Sequence, residues 1–304
     1  MTPTMIDQYK THLENEDHSA LTVTGYVADA RLFIAWFEKH NAETFKIESV
    51  TPSDVREYRQ YLQEIQKRKA NTVNRKLASL SSLMRWGIES GRINADPTIK
   101  MKYVKKIVQS PKWLDKNEQY ALQRAMEKDL QLAQLRYPKR WVTRRRDVSL
   151  VTFMLNTGLR LSETVSLKID DVEISERKGQ VLVRQGKGNK ERIVPLNSDA
   201  REALNEWLKV RPSSDCSRLW VSIESGTDQG LTGRAVQRVL KRYGEDAGIE
   251  KLTPHVLRHS FAKNLTNKGV GIEKVAQLLG HENLNTTQIY IKPDFKDLEK
   301  ALED

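Results

Sequence analysis

Thr253–Tyr290, TPHVLRHSFAKNLTNKGVGIEKVAQLLGHENLNTTQIY, is the stretch that decides how the chain is read. Thr253 is a suitable helix N-cap, and Pro254 suits the first helical position, where no backbone hydrogen bond is lost. His255 and Arg258, three apart, then share a face at the positive end of the helix dipole, where an anion such as a phosphate is favoured. Leu257, Phe261 and Leu265 are left for packing. A second helix, Ile272–Leu279, stops at Gly280 and delivers His281 just past the turn. Tyr290 follows a cap-like Asn285-Thr286-Thr287 segment.

Further groups of the same kind lie upstream. TGLRLSE at 157–163 sets Arg160 after a glycine turn, with Ser162 and Glu163 opening a helix. QVLVRQGKGNKERIVPL at 180–196 alternates apolar and polar residues on both sides of Gly186-Lys187-Gly188-Asn189, the pattern of a β-hairpin with Lys187 at its tip. Two arginine forks can grip both non-bridging oxygens of a phosphate. A tyrosine hydroxyl can act as nucleophile and a lysine can protonate a leaving oxygen, so phosphoryl transfer needs no metal or organic cofactor here. Each residue alone has a plainer explanation: a lone His is usually a surface or satisfied core residue, a late Tyr is usually packing, and GKGN is usually a turn. Their joint order and spacing carry the reading.

Composition limits the alternatives. The 304 residues carry a net charge of +11, which favours a polyanion, DNA being the common one. Both the first 105 residues and the remainder hold a basic surplus. No apolar run approaches the roughly 18 residues of a membrane span, and the N-terminus lacks a secretory apolar region. Cys216 is the single cysteine, which rules out an internal disulfide or Cys-ligated cluster and fits a reducing cytoplasm beside the nucleoid. No carboxylate cluster has metal-ligand spacing, which argues against a metal-dependent nuclease.

The expected fold is mainly α with a small β-sheet, in two domains. Residues 1–100 read as a helical bundle with helices near Tyr9–Leu13, at Thr22–His40, from a Thr51 or Ser53 cap, and from Ala70 to about Ser90. The last of these presents Thr72, Asn74, Arg75, Lys76, Ser79 and Arg85 opposite its apolar stripe, either as a solvated face or as a face read against DNA. Residues 101–112 form a basic linker, and 113–304 the second domain. Within it, helices are expected at Lys116–Lys128, Asp147–Leu155, Ser198–Lys209 and Arg234–Ala247, with a short strand at Leu219–Ile223. Leu130–Arg146, with Arg144, Arg145 and Arg146, is either a DNA-contacting loop or a surface turn. Residues 292–304 form an amphipathic helix with Phe295, Leu298 and Leu302 on one side.

Arg160 in TGLRLSE, Lys187 in GKGNKER, His255-x-x-Arg258 in HVLRH, His281 in LLGH and Tyr290 in TTQIY resemble, in this order, the tyrosine site-specific recombinases of the phage-integrase and Xer type. The resemblance covers essentially the whole chain, with a SAM-like core-binding domain before the catalytic domain. It implies that Tyr290 attacks the scissile phosphate to give a 3′-phosphotyrosyl bond and a free 5′-hydroxyl. Arg160 and Arg258 would stabilise the transition state, His281 would bond a phosphate oxygen, His255 would take the nucleophile's proton and Lys187 would protonate the leaving oxygen. Glu163 would support Arg160. The implied partner is double-stranded DNA with inverted half-sites, clamped by two domains and bound as a tetramer that exchanges the C-terminal helix 292–304, with room for an accessory DNA-bending or directionality protein. The segment 127–146 is longer and more basic than in compact Xer-type proteins, which turns the expectation toward a mobile-element or phage integrase. The alternatives are Xer-type dimer resolution, type IB topoisomerase-like relaxation, and a DNA-binding protein without catalysis.

Overall fold

The computed structural model describes residues 4–105, 111–184, 191–223 and 229–281, together with Thr287, and the chain divides into two units, 1–109 and 110–304. In the first unit, Thr4 caps α1 (Met5–Asn15) and Thr51 caps α3 (Pro52–Gln60). Both caps are reciprocal. The Thr51 hydroxyl accepts from the Asp54 amide, and the Asp54 carboxylate accepts from the Thr51 amide at 2.8 Å. Between them α2 runs over Ala20–Asn41. One π-helical turn, Tyr61–Ile65, extends α3, and α4 spans Ala70–Glu89. The apolar stripe of α4 (Val73, Leu77, Leu80, Leu83, Met84 and Trp86) is buried against Tyr9, Phe33, Phe37 and Tyr58.

The polar face expected on α4 is corrected at three positions, because Asn74, Lys76 and Ser79 are buried. Asn74 holds both backbone groups of Val104, donating to its carbonyl at 2.9 Å and accepting from its amide at 2.8 Å. Residues 101–105, expected to start a linker, therefore lie along the first unit, with Met101 and Val104 on its core. Ser79 donates to the Tyr26 carbonyl. Lys76 meets the buried Asp29 at 2.8 Å, and Arg75 grips the same carboxylate from the surface. Of the α4 residues first considered for DNA, Arg75 and Arg85 are exposed and Thr72 is half-buried.

In the second unit, α5 (Lys116–Arg136) and α6 (Pro138–Thr157) meet at Tyr137, and Pro138 takes the first position of the new helix. The segment expected as a basic loop is thus helical, and three of its arginines, Arg144, Arg145 and Arg146, are held by acids. Arg146, 1 % exposed, donates to Asp147 and to the Val221 carbonyl. Arg144 pairs with Asp129 and Asp147, and Arg145 with Glu206. Helix α6 packs against α5, α8 (Ser198–Val210) and α10 (Pro254–Asn267). α7 (Leu161–Ser166) leads to a three-stranded antiparallel sheet of β1 (Val172–Ile174), β2 (Gly179–Val183) and β3 (Arg192–Pro195), in that order. The expected hairpin pairs Val181 with Val194 and Val183 with Arg192, while its tip, Gln185–Lys190, lies outside the described residues. β1 was not foreseen. Conversely, Leu219–Ile223 forms a single bridge, Val221 to Gly230, and no strand. α9 (Gly233–Asp246) and α11 (Ile272–Leu279) complete the described helices. Residues 292–304 lie outside the described residues.

Removing one partner of a buried ion pair leaves an uncompensated charge. Lys76→Met is expected to lower the stability of the first unit by about 3 kcal/mol in urea unfolding. Asp29→Leu in the same chain should restore part of that loss. An unchanged midpoint for Lys76→Met would show that Arg75 alone suffices for Asp29.

Candidate active site

The second unit assembles its site where α11 ends. The last carbonyls of a helix have no partner within it. Here three consecutive carbonyls each accept from a different arginine: Leu278 from Arg192 Nε at 3.2 Å, Leu279 from Arg258 Nη2 at 2.7 Å, and Gly280 from Arg160 Nη2 at 3.0 Å. The negative end of the helix dipole favours these cations. Gly280 itself has φ +66°, and a Cβ there would lie 2.9 Å from the Arg192 guanidinium, so this turn requires glycine.

Glu163 joins two of the three arginines. Its Oε1 accepts from Arg160 Nη1 at 2.8 Å and Arg192 Nη1 at 3.0 Å. Its Oε2 accepts from the Arg160 amide and Arg192 Nη2, both at 2.8 Å. As the third residue of α7 it also closes that helix's N-terminus over Arg160, the cap. Burial pushes the Glu163 carboxyl up, but the Arg192 and Arg160 hydrogen bonds outweigh burial and hold it down at about 2. It is a fixed anion at neutral pH.

Arg258 comes from the first helix of the opening stretch. Thr253 caps α10 by accepting from the Val256 amide, as anticipated, and Pro254 follows it. Arg258 is 4 % exposed and donates to the Gly158 carbonyl at 2.8 Å. Gly158 ends α6 at φ +64°, with the Phe261 ring too close to admit a Cβ. Arg258 thus ties the end of α6 to the end of α11, and Arg160 stands two residues past Gly158. His255, at the first turn of α10, is exposed, and its ring lies 6.4 Å from that of His259.

His281 follows the turn directly, its amide bonded to the Ala276 carbonyl and its Nδ1 2.8 Å from the Thr287 hydroxyl. Burial, then the nearby Arg258 and Arg160 charges, bring the imidazole down to about 4. His259 is brought to about 4 by burial, His255 and Arg258. Both rings are neutral at pH 7. His281 Nδ1 and the Thr287 hydroxyl share a hydrogen bond, and in the tautomer in which the hydroxyl donates, His281 has an Nε2–H to offer an anion.

Of the residues singled out from the sequence, the structure brings together Arg160, Glu163, Arg258 and His281. His255 stands nearby on α10. Lys187 and Tyr290 lie outside the described residues. Arg192, His259 and Thr287 were missed, although Arg192 was readable: strand alternation puts it on the same face as the buried Val194. A groove of about 900 Å³ between α5, α6, α8 and α10 shares none of these residues. The His and carboxylate groups close enough to share a cation, among the described residues, are His12, Glu16 and Glu89 on the first unit.

Residues 112–297 match the phage integrase family, and residues 6–91 match the phage integrase N-terminal SAM-like domain. Tyrosine recombinase XerC of Pseudomonas fluorescens is 31% identical over 300 residues, covering 96% of this chain and 92% of that protein. Tyrosine recombinase XerA of Thermococcus kodakarensis is 44% identical over 161 residues, 53% of this chain and 56% of that protein. Among solved structures, XerH site-specific recombinase bound to difH substrate in a pre-cleavage complex superposes with a TM-score of 0.73, at 23% identity, over 99% of this chain and 85% of that one.

A histidine held neutral in the folded state must charge when the chain unfolds in acid. With folded values near 4 against an ordinary 6.5, His259 and His281 contribute stability that is full above about 6.5 and declines as pH falls toward 4. Glu163, held at about 2, loses its contribution only below about 4.5. The chain is therefore expected to weaken from pH 7 to pH 5 in chemical denaturation, and His259→Gln and His281→Gln should each flatten that dependence. Profiles parallel to that of the unaltered chain would contradict it.

Proposed function

The chain belongs to the phage integrase family, the tyrosine recombinases, enzymes that cleave and rejoin DNA, and from that premise we propose that Tyr290 is its nucleophile. The hydroxyl attacks a scissile phosphate, a 3′-phosphotyrosyl bond forms and a 5′-hydroxyl leaves. A 5′-hydroxyl from a partner strand then reverses the step. The observation that supports this reading best is the convergence on one helix end of Arg160 with Arg258 and His281, which lie about a hundred or more positions further along the chain.

The geometry of the described residues supports the following roles. Arg160 uses Nη1 and Nη2 on Glu163 and Gly280, and its side chain remains 29% exposed, so further N–H donors of its fork can meet a phosphate. Charge that develops on the phosphoryl oxygens is met by guanidinium groups already fixed in place, which is where such groups contribute most. Neutral His281 donates a hydrogen bond to the same oxygens. Exposed His255 accepts the tyrosine proton, and Lys187 gives a proton to the leaving oxygen. These six groups carry the reaction without metal or ATP. The two domains clamp duplex DNA at inverted half-sites, and four protomers exchange their segments 292–304. Arg75 and Arg85, exposed on α4, contact phosphates.

The biological role follows from the DNA it selects. The length and charge of residues 127–146 support a mobile-element or phage integrase. A second reading, Xer-type dimer resolution, is favoured by the likeness to XerC across nearly the whole chain, and by the fact that Arg144, Arg145 and Arg146 are held by acids on α5, α6 and α8. An accessory DNA-bending or directionality protein belongs to the first reading.

On a nicked suicide duplex carrying the cognate site, a covalent protein–DNA adduct is expected, insensitive to excess EDTA and lost in Tyr290→Phe. An adduct that persists in Tyr290→Phe would remove the nucleophile assignment. Arg75→Ala is expected to lower the salt slope of binding by about one per lost phosphate contact, whereas an unchanged slope would return α4 to solvent.

A further inference from the structure

Arg192 sits at the centre of the site without facing outward from it. Its side chain is 13% exposed, less than half the value for Arg160. All three of its nitrogens donate within the protein: Nη1 and Nη2 to the two oxygens of Glu163, and Nε to the Leu278 carbonyl. The fork is therefore turned toward Glu163 and the end of α11. What it touches is the set of groups that hold the others. Glu163 fixes Arg160 through two bonds, one to its backbone and one to its guanidinium. The turn Leu278–Gly280 accepts from Arg160 and Arg258 and carries His281 on its far side.

From this arrangement we infer that Arg192 is a positioning residue for phosphoryl transfer: it locks Glu163 and the end of α11 together, and so aims Arg160 at the scissile phosphate. This rests on the recombinase reading given above. The geometry accounts for the choice of residue. A planar fork spans both oxygens of one carboxylate and leaves Nε for a carbonyl, three directions at once, which a lysine ammonium cannot reproduce on one stem. With Arg192 removed, the buried carboxylate of Glu163 keeps a single guanidinium partner and closes on Arg160. The Leu278 carbonyl then loses an acceptor's partner, and Arg160 is drawn from the direction a phosphate needs. A displacement of about 1 Å at a reacting centre costs on the order of a hundredfold in rate.

The test uses the full-length chain. Arg192→Gln, Arg192→Lys and Tyr290→Phe are compared for thermal melting, affinity for a duplex carrying the cognate site, and single-turnover adduct formation on the nicked suicide duplex. Arg192→Gln should bind DNA within about threefold of the unaltered chain yet form the adduct about 30- to 100-fold more slowly. Arg192→Lys should recover little of the rate, although it keeps the charge and serves as the second variant if Arg192→Gln melts. Glu163→Gln combined with Arg192→Gln should be no slower than the worse single variant, because both act through Arg160. A methylphosphonate at the scissile position is neutral and asks less of Arg160, so the defect of Arg192→Gln should shrink on it, which a merely unfolded site would not allow. An adduct rate within threefold of the unaltered chain, additive losses in the double variant, or a loss matched by lost DNA binding would overturn the inference. Tyr290→Phe in the same assay separates the two levels: an adduct surviving there defeats the underlying reading, whereas an adduct lost there and unchanged in Arg192→Gln defeats only this one.

Discussion

A helix that stops must leave its last carbonyls to something. At the end of α11 they are left to cations, and the catalytic unit is arranged around that requirement. Arg258 reaches the turn from α10, Arg160 from the cap of α7, and Arg192 from β3. Three positive charges at one point would repel, and Glu163 offsets two of them through three guanidinium hydrogen bonds, with a fourth from the Arg160 amide. Burial of such a carboxylate is unfavourable by several kcal/mol unless it is paired and bonded this fully. The anion is therefore indispensable to the packing, and the guanidinium groups have few other directions in which to turn. Preorganisation of the kind that stabilises developing charge is built from backbone carbonyls and one acid.

The same rule distributes charge elsewhere in the chain. A net charge of +11 invites the view that basic residues lie on the DNA face. Many do not. Lys76 and Asp29 are buried together in the first unit, and Arg146 lies inside the second, held by Asp147 and the Val221 carbonyl. Arg242 reaches the same Asp147, while the Tyr243 hydroxyl bonds Asp129 at the junction of α5 and α9. These cations set helix packing and are unavailable to a phosphate backbone. The charge that remains for DNA is smaller than the composition implies: Arg85 is exposed, whereas Arg75, also exposed, is already paired with Asp29.

What could be read in advance was governed by local rules. Thr253, Pro254, the helix Ile272–Leu279 and the stop at Gly280 follow from capping chemistry and backbone freedom within a few residues, and the structure has each of them. The hairpin follows from alternation around a glycine-rich turn. Errors arose where a polar residue answers a partner far away in sequence. Lys76 lies four residues before Leu80 and seven before Leu83, on the buried side of α4, and its acid is 47 positions distant. Asn74 was misplaced for the same reason, since Val104 is 30 positions away. The short β1 carries too few residues for any period to register. Alternation alone would have placed Arg192 beside Val194 on the inner face of β3, and a buried arginine demands a carboxylate. Glu163, one of few acids close to the motif residues, was the available answer.

The neutrality of the two imidazoles sharpens the division of labour in this site. Burial, and then the neighbouring Arg258 and Arg160, lower the proton affinity of His281 to about 4, so at neutral pH it brings no charge of its own. Among the described residues at this helix end the positive charge then comes from guanidinium groups, which do not titrate. A site so built holds its electrostatic field constant across the neutral range. His255 is exposed on the first turn of α10. Lys187 falls in the chain between β2 and β3, and Tyr290 falls nine residues after His281. The strand that follows the one and the helix end that precedes the other are joined by a single side chain, Arg192, which binds Glu163 and the Leu278 carbonyl together. Fixed charge held in place by backbone carbonyls and one acid suits the phosphoryl transfer through a tyrosine hydroxyl proposed for this chain.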